Sequence, residues 1–284
     1  MEMSEQPHSN TDYHSSRGGE FDLPSNDVVI GNRPLREYTF PNALRNPRRA
    51  IVCVPGFSAS GRSFARLAPL SSAWDIRMVN GPLERAYPGD AVDTLAGVIA
   101  DYAMQFDRPV ILGTSFGGLV AISAALRMRG AISGLILTAA FANGTRLGTL
   151  PFMRQLIPAM QLTASSLAPI TARVVGGPGI DSAGRSAIVE DVLAMPADER
   201  ARRLRTIFST NLLPHLEQID APALVIHGRR DLLVPKARAL EMARALPHCD
   251  YHEIRGAGHL PYITHAAEFV ALTTAFLERL GRRP

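Results

Sequence analysis

A serine lies at the centre of a glycine-flanked motif, Gly113-Thr114-Ser115-Phe116-Gly117, between an apolar run and a sequence typical of a helix. A strand that turns sharply into a helix strains its central residue and leaves no room for side chains two positions away, which accounts for the glycines. The hydroxyl of Ser115 is then expected at the carboxyl edge of a sheet, exposed for attack on a carbonyl group. An ordinary glycine-rich turn is the alternative interpretation.

An acid and a histidine follow in the order that such a serine needs. Asp231 comes just after a later apolar run, and His259 comes just after the last predicted strand. A serine hydroxyl is a poor nucleophile at neutral pH, so His259 would accept its proton and Asp231 would orient the imidazole. Separately, Asp231 could be a helix N-cap before Pro235 and His259 a surface histidine. Their joint placement favours a catalytic triad.

The elements that must position these residues alternate along the chain. Short apolar runs and helical stretches predict an α/β fold with a mostly parallel, twisted sheet and helices on both faces. Strands are predicted at 28–30, 35–40, 50–54, 76–79, 109–112, 132–138, 223–227 and 251–254. Helices are predicted at 61–70, 90–106, 119–128, 235–246 and 264–280.

The predicted domain organisation has three parts. Residues 1–25 are polar, lack the features of a signal peptide and are interpreted as a disordered leader. Residues 26–141 and 214–284 form the core domain. Residues 142–213 interrupt the alternation of strands and helices and are interpreted as a helical cap over the active site.

Composition narrows the class of protein. The 284 residues are 46% hydrophobic and 20% charged, which is typical of one or two globular domains and excludes collagens and disulfide scaffolds. No run of about 18 apolar residues occurs, so no membrane span is expected. Cys53 lies in an apolar run far from Cys249, which indicates reduced thiols and a cytoplasmic protein.

The chain resembles the α/β-hydrolase superfamily from residue 28 to residue 284. The motifs that carry the resemblance are Val54-Pro55-Gly56-Phe57, Gly113-Thr114-Ser115-Phe116-Gly117-Gly118, Gly228-Arg229-Arg230-Asp231-Leu232-Leu233-Val234-Pro235 and Gly256-Ala257-Gly258-His259. Within the superfamily, residues 115–121, 233–235 and 259–265 are most similar to the pimeloyl-carrier-protein methyl ester esterases and their carboxylesterase relatives.

The resemblance implies the α/β-hydrolase fold and serine esterase chemistry. Ser115 would form an acyl-enzyme, the backbone amides of Phe57 and Phe116 would bind the oxyanion, and no cofactor would take part. Two departures stand out. Pro55-Gly56 replaces the usual His-Gly, so the bracing hydrogen bonds of that histidine are expected to be lost, and residues 80–89 replace a glycine-rich loop with an unfamiliar pocket wall.

The first half of the predicted cap is strongly apolar, which favours a substrate with an apolar acyl group, a medium chain or an aromatic ester, over a sugar or phosphate. Each buried methylene contributes about 0.8 kcal/mol. The bland alternative is that these side chains only pack on the core. The residues predicted to contact the substrate are Phe57, Phe141, Phe152, Leu156 and Leu260.

Charge gives one further candidate surface. All but one of the 30 basic residues are arginines, and most are scattered, so no nucleic-acid partner is expected. A denser stretch contains Arg200, Arg202, Arg203 and Arg205. Because acidic and basic residues are mixed in this stretch, the sequence favours a solvated helix face. The alternative is a docking surface for an acidic acyl carrier protein, since arginine recognises phosphate and carboxylate groups.

Other activities remain open or are excluded by residue type. Thioester hydrolysis and acyl transfer use the same triad, and a ligand-binding receptor with little turnover is the alternative from another class. Dehalogenases and epoxide hydrolases place an aspartate where Ser115 stands, which excludes them. His248, Cys249 and His252 are not expected to bind a metal, because Pro247 and the following strand separate them from a shared helix face.

Overall fold

One mixed β-sheet forms the centre of the molecule. The computed structural model describes residues 19–41, 45–80, 91–147 and 168–281. Its strands are β1 (Ser25–Ile30), β2 (Arg33–Tyr38), β3 (Ala50–Val54), β4 (Asp75–Asn80), β5 (Val110–Thr114), β6 (Gly134–Thr138), β7 (Ala223–Gly228) and β8 (Cys249–Ile254). They are ordered β1-β2-β4-β3-β5-β6-β7-β8.

Six neighbouring strands of this sheet, from β4 to β8, run parallel. β2 runs antiparallel to both β1 and β4, so the first two strands form the hairpin that the sequence predicts. Because β3 pairs with β4 on one side and β5 on the other, the chain reverses its direction of travel across the sheet after β4. The carboxyl ends of the parallel strands therefore meet at one edge, where residues that follow them can form a site.

Helices cover both faces of the sheet. They are α1 (Ala91–Ala103), α2 (Phe116–Met128), α3 (Ala168–Gly176), α4 (Ser182–Ala194), α5 (Ala197–Ser209), α6 (Lys236–Ala245), α7 (Pro261–Thr264) and α8 (Ala266–Leu280), with 3₁₀ segments at Pro47–Arg49, Gly61–Ser72 and Leu213–Gln218. Successive residues of a strand point to opposite faces. In β5, Ile111 belongs to the buried cluster that includes α1, α2 and α6, whereas Val110 and Leu112 belong to the cluster that includes Gly61–Ser72 and α8.

The predicted α/β fold and its strands are confirmed, with three local differences. The helix predicted at 61–70 is a 3₁₀ segment with Pro69 inside it. The helix predicted at 264–280 is divided at His265 into α7 and α8. The leader predicted for 1–25 does not extend through its last seven residues, because Phe21 is buried in the core and Ser25 begins β1.

Among the described residues, three α-helices, α3 to α5, lie between β6 and β7 in the chain, and we call them the inserted helices. They fall within the predicted cap at 142–213, while residues 148–167 of that segment and residues 1–18 of the leader lie outside the described residues. In the part of the chain that the structure describes, no helix is long and apolar enough to cross a bilayer.

Candidate active site

Ser115 stands at a sharp turn between β5 and α2. Its backbone has φ 53° and ψ −119°, a conformation that costs free energy in any residue other than glycine. A Cβ on Gly113 would lie 2.6 Å from the Cβ of Ala121, and one on Gly117 would lie 2.9 Å from the carbonyl carbon of Pro55. The close approach of backbone segments confirms the prediction that these two positions accept only hydrogen.

The predicted acid and base are joined by a hydrogen bond. Nδ1 of His259, after β8, lies 2.8 Å from Oδ2 of Asp231, after β7. The other carboxylate oxygen, Oδ1, accepts hydrogen bonds from the backbone N–H groups of Leu233 and Val234, at 2.8 and 3.0 Å. The Asp231 side chain is fully buried and that of His259 is 5% exposed. This arrangement fixes the imidazole by its Nδ1 side and leaves Nε2 for proton transfer.

Electrostatics keeps the Asp231 carboxylate ionised. Burial alone would raise the pKa of Asp231, but the charge of His259 and hydrogen bonds from His259 and Val234 outweigh it and hold the pKa below its ordinary value. His227, at the end of β7, is also buried. Burial lowers the pKa of His227, against the opposing effect of Asp231, so this second imidazole is neutral at neutral pH. The negative charge of Asp231 is therefore available to an imidazolium at His259.

The loop after β3 lies against Ser115. A Cβ on Gly56 would contact the Cβ of Ser115 at 3.5 Å. The rings of Phe57 and Phe116 meet edge to face, with centroids 6.5 Å apart. Among the described residues, neither the Phe57 nor the Phe116 backbone N–H donates a hydrogen bond to another group. Both amides therefore lack a hydrogen-bond acceptor within the described residues.

A cavity of about 130 Å³ opens on these residues. Ser115 and His259 both line it, although within the described residues no hydrogen bond joins them directly. Three of the residues predicted to contact a substrate, Phe57, Phe141 and Leu260, line the same cavity. The other two predicted contacts, Phe152 and Leu156, lie outside the described residues.

The inserted helices supply much of the cavity wall, through residues that the sequence analysis did not single out. They are almost all apolar: Val175 on α3, Ala187, Ile188 and Val192 on α4, and Leu204, Ile207 and Phe208 on α5. The signal for α5 was present, since spacings of three and four residues place Leu204, Ile207 and Phe208 on one helix face. The cavity offers a substrate mainly hydrocarbon contacts.

Polar contacts tie the inserted helices to the loop after β3. Asp191 of α4 accepts hydrogen bonds from the backbone N–H and the hydroxyl of Ser60, at 2.8 and 3.0 Å. Arg203 of α5 donates from Nη1 to the backbone oxygen of Phe57 at 2.7 Å. These bonds join two of the inserted helices to the loop that carries Phe57.

The arginine stretch of α5 requires a correction. Arg200 and Arg203 are each only 5% exposed, so the interpretation as a solvated face is wrong for them. For the same reason neither can dock a carrier protein. Arg205 is exposed, and Arg202 is partly exposed and paired with Glu199 at 2.8 Å.

The predicted loop at 80–89 is described only at its first residue. The Oδ1 atom of Asn80 accepts a hydrogen bond from the backbone N–H of Gly61, and the rest of the loop lies outside the described residues. In the described ranges, no group of three or more His, Cys, Asp or Glu residues is placed to hold a metal ion.

Known proteins resemble this chain in sequence and in fold. Residues 51–272 match the model of the alpha/beta hydrolase family. A pimeloyl-acyl-carrier protein methyl ester esterase of Neisseria meningitidis serogroup B is 25% identical over 269 residues, which cover 87% of this chain and 98% of the relative. The protein of the same name from Edwardsiella ictaluri is 29% identical over 248 residues, covering 81% of this chain and 94% of the relative.

Among solved structures, the esterase RhEst1 from Rhodococcus sp. ECU1013 superposes with a TM-score of 0.74 at 20% identity. The superposition covers 91% of this chain and 99% of the esterase. At that level of identity the likeness concerns the fold.

Proposed function

The chain belongs to the alpha/beta hydrolase family, and from that premise we propose that it is a carboxylic ester hydrolase working through an acyl-enzyme on Ser115. The observation that carries the proposal is the buried hydrogen bond between Asp231 and His259, 2.8 Å long, at the cavity that Ser115 also lines. A serine in a strained turn has no structural need for such a pair nearby. The pair does supply what a serine nucleophile lacks, namely a base of fixed orientation.

The proposed reaction has two halves. His259 takes the proton of the Ser115 hydroxyl as the oxygen attacks the acyl carbon, and the free amides of Phe57 and Phe116 bind the resulting oxyanion. The leaving alcohol departs with the proton from His259, and an acyl ester remains on Ser115. Water then gives a proton to His259 and attacks that ester, so the acid leaves and the serine regains its hydrogen. Asp231 stabilises the imidazolium in both halves.

The substrate that we propose carries an apolar acyl group of medium length. Support comes from the hydrocarbon wall of the inserted helices and from the relatives, whose names specify a pimeloyl methyl ester on an acyl carrier protein. We further propose that residues 142–213 act as a cap over this cavity. An acidic acyl carrier protein is our proposal for a partner, and its docking surface excludes the buried Arg200 and Arg203.

We also place the protein in the cytoplasm. Cys53 and Cys249 are both free thiols, and Cys53 is fully buried. Free thiols persist in a reducing compartment such as the cytoplasm.

The experiment that tests the function is a chain-length series of p-nitrophenyl and methyl esters, run on the wild type and Ser115→Ala side by side. A fluorophosphonate probe is applied to both proteins, and the labelled peptide is identified by mass spectrometry. We expect turnover and a single label at Ser115 in the wild type, and neither in the variant. Labelling without turnover of any ester would favour a receptor, and release to an added thiol or alcohol in preference to water would favour acyl transfer.

A further inference from the structure

Arg203 of α5 contacts both residues that supply the oxyanion amides. Its Nη1 donates to the backbone oxygen of Phe57 at 2.7 Å. Its guanidinium carbon lies 5.1 Å from the centroid of the Phe116 ring, a cation–π contact. Phe57 lies in the loop after β3 and Phe116 begins α2 after β5, whereas Arg203 comes from a third part of the chain. One side chain thus spans the two halves of the proposed oxyanion hole.

We propose that Arg203 is a positioning residue that holds the Phe57 and Phe116 amides in place for oxyanion binding. The inference rests on the proposed function, because it assigns a role within that reaction. Arg203 acts through Phe57 and Phe116 and does not line the cavity that Ser115 opens on.

The need for such a restraint follows from the sequence of the loop. Gly56 precedes Phe57, and glycine lets the intervening peptide rotate more freely than any other residue does. The Phe57 amide belongs to that peptide, whose carbonyl oxygen, that of Gly56, accepts a long hydrogen bond of 3.4 Å from the backbone N–H of Ala59. Local contacts therefore restrain the direction of the amide weakly. A hydrogen bond from a guanidinium to the Phe57 oxygen restrains the far side of the same residue, and charge-assisted bonds of this kind are about twice as strong as neutral ones.

The surroundings of Arg203 fit a geometric role. The guanidinium is buried, and Nε donates to Oε1 of Glu199, one helical turn earlier, at 2.7 Å. Burial lowers the pKa of Arg203, and the carboxylate of Glu199 opposes that shift. A buried ion pair adds little net stability compared with apolar side chains of similar volume. We therefore assign to the Arg203–Glu199 pair the task of fixing the position of the guanidinium, and with it the hydrogen bond to Phe57.

A small cavity beside the loop offers space into which the loop can move unless Arg203 holds it. This second cavity, of about 20 Å³, lies between the loop after β3 and helices α1 and α2, lined by Arg203 together with Pro55 and Phe116. Shortening or removing the guanidinium enlarges this space. The loop could then relax into it and carry the Phe57 amide away from Ser115.

The test compares two buried arginines of the same helix. Arg203→Met removes the contact with Phe57 and Phe116, and Arg203→Lys keeps the charge with a single donor group. Arg200→Met is the matched control, because Arg200 is equally buried but donates to the backbone oxygens of Met195 and Val192, at 2.5 and 3.3 Å. Each variant is measured for urea unfolding, for kcat and KM on a p-nitrophenyl ester, and for inhibition by a trifluoromethyl ketone, which forms an oxyanion on the serine.

We expect Arg203→Met to lower kcat by about 10- to 100-fold, short of the loss of a whole oxyanion donor, with KM changed less than about threefold. The ketone should lose affinity by the same factor as kcat/KM, and Arg203→Lys should recover part of both. Arg200→Met should lose stability but keep the wild-type kcat. If Arg203→Met does not fold, the test uses Arg203→Lys, with its kcat and its ketone affinity each compared with those of the wild type.

Two results overturn the inference. One is a wild-type kcat and ketone affinity in Arg203→Met, or in Arg203→Lys where Arg203→Met does not fold, while the wild-type protein is active and labelled at Ser115. The other is a fall in kcat in Arg200→Met as large as that in Arg203→Met. The lower kcat of Arg203→Met would then be explained by lost stability alone. A wild type that neither hydrolyses esters nor is labelled at Ser115 would instead overturn the proposed function itself, and this inference with it.

Discussion

Replacing Gly117 by alanine should push the turn that carries Ser115 away from the loop after β3. The new Cβ would lie 2.9 Å from the carbonyl carbon of Pro55 and would also collide with the backbone oxygens of Val54 and Pro55. Carbon atoms in contact normally stay about 3.5 Å apart. The displacement needed at that one carbon is therefore about 0.6 Å, and the atoms involved belong to backbone that cannot rotate aside.

Two effects follow from a displacement of that size. Overpacking of a buried site costs about 1 to 3 kcal/mol of folding free energy. Catalytic groups must be held within about 0.5 Å of their working positions, and a 1 Å error can cost about 100-fold in rate. We therefore expect Gly117→Ala to lose about 1 to 3 kcal/mol in urea unfolding and to lower kcat by about 10- to 100-fold.

Gly97→Ala is the matched control, since Gly97 lies inside α1 and a Cβ there would meet only Nη1 of Arg33, at 3.6 Å. Alanine in a helix interior is favoured over glycine, so this variant should gain up to about 1 kcal/mol at unchanged kcat. A Gly117→Ala protein with the stability and kcat of Gly97→Ala would refute the close packing on which the reasoning depends.

Three further predictions concern the acid and the cavity. Asp231→Asn should lower kcat by about 10⁴-fold, because an amide favours the wrong imidazole tautomer; a loss of less than tenfold would mean that another residue is the acid. Since the pKa of Asp231 is lowered from 3.8 on folding, the stability it contributes is complete above the unfolded value and is lost as pH falls through the folded one. The difference in urea unfolding between wild type and Asp231→Asn should accordingly shrink below about pH 4, and a constant difference would contradict the assigned shift. Ile188→Trp, on the cavity wall, should move the preferred acyl chain to shorter lengths by about fourfold in kcat/KM per excluded methylene, whereas Leu193→Trp, exposed on the same helix, should leave the profile unchanged.

Local patterns were enough to predict most of the fold and the residues of the proposed triad. Gly113 is required by contacts within its own turn and the following helix, and Gly117 by the backbone of Val54 and Pro55. Their spacing around Ser115 is nevertheless a pattern that can be recognised in the local sequence. Asp231 and His259 follow buried parallel strands, and parallel strands bring such residues to one edge by geometry alone. Each of these inferences needs only the sequence near the residue and the direction of its strand.

Contacts between distant segments were out of reach. The residues around Arg203 in the sequence are typical of a solvated helix face, yet its hydrogen-bond partner Phe57 lies 146 positions away. That contact, together with the ion pair with Glu199, compensates the burial of Arg203. From the sequence, the loop at Phe57 is expected to lack bracing hydrogen bonds, because Pro55 stands where a histidine is usual. In the structure, Arg203 donates a hydrogen bond to the backbone oxygen of Phe57. This contact joins two distant segments, and no local sequence pattern reveals it.

The order of the strands also governs when the proposed triad can exist during synthesis. Ser115 precedes Asp231 by 116 residues and His259 by 144 residues, and β5 to β8 lie side by side in the order in which the ribosome makes them. The ribosome adds residues in sequence order, so His259 is the last of the three residues to be made. A nascent chain that ends before β8 therefore carries Ser115 without the proposed base. The proposed ester hydrolysis needs that base, so an unfinished chain lacks the activity without any inhibitor.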